Sequence, residues 1–150
     1  MSTAREAVQV PEQDTFRTLL GKELPLHDGR RIRLVKLVNE TRRNGWEAQV
    51  YQAHDLQTPE KKFAAKFYGG AHEHACHKAK RAYDIGNLLD HPGIASTVDL
   101  VEDRFLITEW IEGAKLSKVM LAGKYHARFA RTWILALGEA LAALTDGLAA

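Results

Sequence analysis

The stretch Lys62–Gly70, KFAAKFYGG, sets one lysine inside an apolar run. Phe63, Ala64, Ala65, Phe67 and Tyr68 have the small and aromatic character of a strand, and Gly69 and Gly70 break it. An unpaired ammonium buried in such a run is costly enough that it would sooner lose its proton. Lys66 therefore either snorkels to water along its own stem or meets an anion. A second group, AHEHACHK, gathers His72, His74, Cys76 and His77, residue types that ligate zinc or nickel. On a helix, His72 and Cys76 share one face at i,i+4, and His74 and His77 share another at i,i+3. Two faces do not converge on one tetrahedral site, and no Cys-x-x-Cys partner occurs elsewhere, so an exposed helix entry without a metal is expected here.

The elements that position Lys66 follow from pattern. Asp14 is suited to cap a short helix through Leu20. In LPLHDGRRIRLVKLV the Asp28-Gly29 pair signals a hairpin turn with strands on either side. EAQVYQAHD alternates as a strand, LQTPEKK turns at Pro59, and the strand bearing Lys66 follows. From His72 to Leu89 the period becomes helical, with Ala75, Ala79, Ala82, Ile85 and Leu89 on one stripe, and Pro92-Gly93 ends it. STVDLVED and RFLITEWI read as two strands joined by a charged turn at Glu102–Arg104. A short helix begins near Leu116, and a long one carries Ile134, Leu137, Leu141 and Leu144 at 3-4-3 spacing. Five strands with one helix inserted after the third, then further helices, make an α+β layout.

At 150 residues the chain is long enough for a real core, and its 45% hydrophobic and 27% charged content is that of a globular protein. A net charge of +2 with no basic run beyond paired arginines excludes a nucleic-acid footprint. Cys76 is the only cysteine, which excludes an intrachain disulfide and suits a reducing, cytoplasmic compartment. The leading MSTAREAVQVPEQD lacks a signal-peptide core. Trp133–Ala150 is interrupted by Glu139 and Asp146, so no membrane span is expected.

In order, NGWEAQVYQA, FAAK, NLLDHPGI and DLVEDRFLITEWIEGAKL resemble the N-terminal lobe of the protein kinase superfamily, in the manner of a bacterial eukaryotic-like Ser/Thr kinase. The resemblance divides the chain into an extension over 1–30, a kinase-like lobe over 31–112 and the start of a helical lobe over 113–150. It implies that Lys66 meets the α- and β-phosphates of ATP. Val50 and Ala64 would cover the adenine, Thr108 would stand behind it at the gatekeeper position, and the Glu109 carbonyl and Ile111 amide would supply the hinge hydrogen bonds. Gly45 would be the glycine of the phosphate loop.

The departures from that pattern are physical ones. The loop aligns as Arg43-Asn44-Gly45-Trp46-Glu47-Ala48-Gln49-Val50, keeping one glycine where backbone amides must approach phosphate without a Cβ in the way. The helix glutamate that pairs the strand lysine stands ten residues before the proline, which here is Ala82. Asp84 and Glu73 point away from that side, at about 200° and 180° around the helix. Neither His-Arg-Asp nor Asp-Phe-Gly occurs, so no catalytic base and no Mg²⁺ ligands are expected in this chain. ATP binding that is weak and little dependent on Mg²⁺, with transfer only where another segment supplies the catalytic loop, is the first expectation. An inactive kinase-like binding module is the second, and a kinase-fold sugar or lipopolysaccharide phosphotransferase the third. The stripe Ile134, Leu137, Leu141 and Leu144 is expected to self-associate or meet a partner chain.

Overall fold

The computed structural model describes residues 19–38, 48–121 and 127–149. Within them run β1 (Glu23–Pro25), β2 (Arg31–Leu37), β3 (Ala48–Asp55), β4 (Lys62–Tyr68), α1 (His72–Asn87), β5 (Thr97–Val101), β6 (Phe105–Glu109), α2 (Leu116–Leu121) and α3 (Ala127–Ala149). The strands form one antiparallel sheet in the order β1-β2-β3-β4-β6-β5. The class is α+β as expected, with six strands in place of five. The sixth strand is β1, the first arm of the hairpin expected around Asp28-Gly29, where Leu24 pairs with Ile32 and Pro25 with Arg31. A proline lacks a ladder donor and weakens a strand reading, but it is tolerated on an edge, and β1 is an edge.

The expected turn at Asp28-Gly29 joins β1 to β2. Gly29 takes φ +86°, its N–H donates to the Leu26 carbonyl at 3.1 Å, and the Asp28 carboxylate accepts the Arg30 N–H at 3.0 Å. A left-handed residue at this place favours glycine. The expected helix from Asp14 to Leu20 lies almost wholly outside the described residues, whose first members, Leu19–Gly21, form a turn.

The two faces of the sheet follow the period-2 alternation of its strands. One face is the main core, with Tyr51, Ala53, Phe63, Ala65, Phe105 and Ile107 packed against Leu24, Ile32 and Leu34. Residues of β1 and β5, from opposite edges of the strand order, share this core, so the sheet curls on itself. The curl is tied by side chains: Lys22 meets Glu102 at 2.7 Å, and Asp99 accepts from His27. On the other face, Tyr68 and Leu106 pack against Ala75 and Ala79 of α1, with Ala82 and Tyr83 beside them. Alanines let the helix lie close. At Gly86 there is no room for a side chain: a Cβ would fall 2.0 Å from Thr97 Oγ1.

The long helix α3 meets the α1–β5 connection through small residues. Ala140 is buried beside Gly93, and a Cβ on Gly147 would come within 3.0 Å of Leu89 Cδ2. Ile134, Leu135, Leu137 and Leu141 are exposed, while Leu144 is half-buried. No helix among the described residues is long and apolar enough to cross a membrane.

Candidate functional site

The side chains expected to surround a nucleotide come together through strand register. Lys66 lies opposite Val50 on β3 and opposite Leu106 on β6. Ala64, two residues back and on the same face, lies opposite Gln52 and Thr108. Val50, Ala64, Lys66 and Thr108 thus form one compact patch on the α1 side of the sheet, each of them partly accessible. Neighbouring positions Phe63, Ala65 and Phe67 point the other way, into the main core, and anchor the strand.

Glu109 shows its backbone rather than its carboxylate to this region. It pairs with Phe63 across β4–β6, its N–H donates to the Ser96 carbonyl at 3.0 Å, and its Oε1 accepts the Ser96 N–H at 2.8 Å. The side chain is thereby engaged with the segment before β5. The Thr108 hydroxyl donates to the Glu109 carbonyl at 3.3 Å. Ile111 stands past the end of β6 and is 63% exposed, so its amide lies on an open linker. Gly45 lies outside the described residues.

A clamp that sequence reasoning missed joins this linker to β4. Lys62 Nζ meets the Glu112 carboxylate at 2.5 Å. Hydrogen bonding from Lys62 holds the Glu112 carboxyl below its ordinary range. Lys62 shares the face of Ala64 and Lys66, so the clamp closes the linker end of the patch. The alternation of β4 would have placed Lys62 there, but nothing in the sequence ties it to Glu112.

Lys66 has an aromatic neighbour. Its Nζ lies 4.9 Å from the centroid of the Tyr68 ring. The apolar residues that α1 packs on this face of the sheet are Ala75, Ala79, Ala82 and Tyr83. Asp84 is exposed and held by Lys80 at 3.1 Å. The strand end is fixed by Arg104, whose Nε and Nη2 donate to the Tyr68 carbonyl at 3.0 and 2.9 Å while its guanidinium lies 4.7 Å from the Phe67 ring centroid.

Among the described residues no three His, Cys, Asp or Glu side chains gather as metal ligands. His72 and Cys76 do share a face, with Sγ 3.8 Å from Nε2. A groove of about 670 Å³ opens elsewhere, between Pro25–His27, Leu100–Asp103 and the α1 residues Lys80 and Tyr83. It contains none of the residues expected to bind nucleotide and marks the seam where the curled sheet edges meet.

No protein-family model and no curated protein matches the chain. Among solved structures it is similar to vaccinia-related kinase 3, at 22% identity and a TM-score of 0.38, over 79% of this chain. The match takes in 36% of that protein, so the chain spans about a third of its length. A likeness at this level assigns neither a ligand nor a reaction.

Proposed function

We propose that this chain is the nucleotide-binding lobe of a kinase-like phosphotransferase of the Ser/Thr type. In this reading the adenine of ATP lies against Val50 and Ala64, in front of Thr108. The Glu109 carbonyl and Ile111 amide meet its edge, and Lys66 meets the phosphates. The observation that carries the reading is the register that sets Lys66 beside Val50 and Ala64 beside Thr108 on one face. A flat ring needs small apolar cover, and a phosphate needs a cation within reach of it; the patch supplies both in that order. Gly45 would bring a backbone amide to the phosphates.

Phosphoryl transfer depends on positioning and on neutralising charge, through a catalytic base and Mg²⁺ ligands. Those groups would come from a segment carrying the catalytic loop, in this protein or in a partner. Without them the lobe binds nucleotide weakly, with little dependence on Mg²⁺, and transfers nothing. A second reading, a kinase-like binding module, is favoured by α1, which packs alanines where a carboxylate would orient Lys66.

Isothermal titration of ATP into the wild-type chain and into Lys66→Ala, with and without Mg²⁺, tests the proposal. A charged hydrogen bond to phosphate contributes about 1.5–3 kcal/mol, so a loss of about ten- to a hundredfold is expected in Lys66→Ala. Equal affinity in the two proteins would overturn it.

A further inference from the structure

Lys66 rests against a ring where a carboxylate would be the usual companion of a strand lysine. Its ammonium sits 4.9 Å from the Tyr68 ring centroid, two positions along β4 on the same face. Among the described residues none of the ion pairs includes Lys66. The ring is well fixed. Tyr68 is 6% exposed and packs against Ala75, Ala79 and Leu106. Its backbone is pinned on both sides by Arg104, which accepts the Tyr68 N–H at 3.0 Å and donates twice to the Tyr68 carbonyl.

A carboxylate and an aromatic face hold an ammonium in different ways. The carboxylate neutralises the charge it positions. The ring attracts the cation through its quadrupole and leaves a full unit of positive charge and the ammonium's donors available to a third group. We propose that Tyr68 is the positioning residue for Lys66, holding the ammonium over the patch in place of a helix carboxylate. The ligand this arrangement suits is a nucleotide polyphosphate free of divalent metal, whose negative charge has not already been matched. The proposal rests on the nucleotide reading above and extends it to the form of the ligand.

The experiment joins a contact readout to a binding readout on the whole chain. In proton NMR the Lys66 ε-methylene should be shifted upfield by the ring current in the wild type and in Tyr68→Phe, and should return to its ordinary position in Tyr68→Leu. Affinity for ATP without Mg²⁺ should fall about three- to tenfold in Tyr68→Leu, the range a cation–π contact supports, and hold in Tyr68→Phe. Adenosine, which has no phosphate, should bind all of these alike. Because Tyr68 is buried, a second comparison keeps the shape constant: pentafluorophenylalanine at position 68 reverses the ring quadrupole, and the same fall is expected relative to Tyr68→Phe. An ordinary methylene position in the wild type would overturn the role of Tyr68. So would equal ATP affinity for the phenylalanine and pentafluorophenylalanine proteins while Lys66→Ala still weakens binding, and the nucleotide reading would then stand alone. ATP affinity unchanged in Lys66→Ala would overturn both.

Discussion

The carboxylate of Asp99 accepts the backbone N–H of His27 at 2.8 Å, across 72 residues of sequence. The same carboxylate meets the His27 ring and accepts the Leu100 N–H at 2.8 Å. Asp99 is 4% exposed, and the Arg30 guanidinium adds a favourable charge nearby. One side chain thus does at the seam what a backbone ladder does elsewhere in the sheet. Asp99→Ala would leave two part-buried backbone donors without their acceptor, at about 1 kcal/mol or more. Asp99→Asn keeps an acceptor oxygen and should lose less. Urea denaturation of both variants measures the difference, and equal midpoints for Asp99→Ala and the wild type would contradict this account.

Gly86→Ala sets helix propensity against packing. Alanine is favoured over glycine in a helix by about 1 kcal/mol. Its Cβ, however, would stand 2.0 Å from Thr97 Oγ1 and 3.1 Å from Thr97 Cβ, the latter fixed to the backbone of β5. Overpacking of this kind costs about 1–3 kcal/mol, so a net destabilisation is expected. Thermal melts should show part of it recovered when Thr97→Ala is added, because the Oγ1 clash is removed.

Tyr51 is fully buried, and burial pushes its hydroxyl up to about 12. The fold prefers the neutral phenol more strongly than the unfolded chain does. Its contribution is therefore complete below the ordinary tyrosine value of about 10 and declines as pH rises from there toward 12. Absorbance of tyrosinate during an alkaline titration should show one tyrosine ionising late and together with loss of the fold. Four tyrosines ionising together near pH 10, with the fold intact, would refute it.

Leu137 and Leu141 on α3 are 58% and 53% exposed. Glutamate at both positions should change stability by no more than about 0.5 kcal/mol per site, as at other surface positions. The same pair should lower the mass seen by light scattering if the apolar stripe joins one chain to another, which is the expected outcome. A monomeric wild type would remove the self-association, and an unfolded double variant would mean that the helix face is covered.

The sequence carried the site further than it carried the sheet's closure. Strand-like composition put Val50, Ala64, Lys66 and Thr108 on strands, the kinase resemblance singled them out, and the register sets them side by side. Asp28-Gly29 marked its turn, and Glu102–Arg104 marked another. The hairpin signal at Asp28-Gly29 implied a strand before the turn as well as after it, and β1 is that strand, with Leu24 opposite Ile32. The clamp between Lys62 and Glu112 and the tie between Asp99 and His27 are long-range. Their one local signal is a lone acid in the middle of Thr97-Val98-Asp99-Leu100-Val101. Tyr68 looked like an ordinary strand aromatic, since only the side-chain geometry shows that the ammonium lies over its ring.

The β5–β6 turn invites a question of evolutionary design. Glu102 and Asp103 both take left-handed backbone, at φ 52° and 54°, where an Asn-Gly pair would sit with less strain. Glu102 nevertheless has an occupation that glycine lacks: its carboxylate reaches Lys22, whose ammonium lies 5.3 Å from the Phe105 ring centroid. A redesign that relaxes the turn by replacing Glu102 would cut a fastening between the last hairpin of the sheet and the residue that leads into its first strand. Among the described residues Asp103 forms no such tie, so an engineer seeking a tighter turn would begin with Asp103→Gly and keep Glu102.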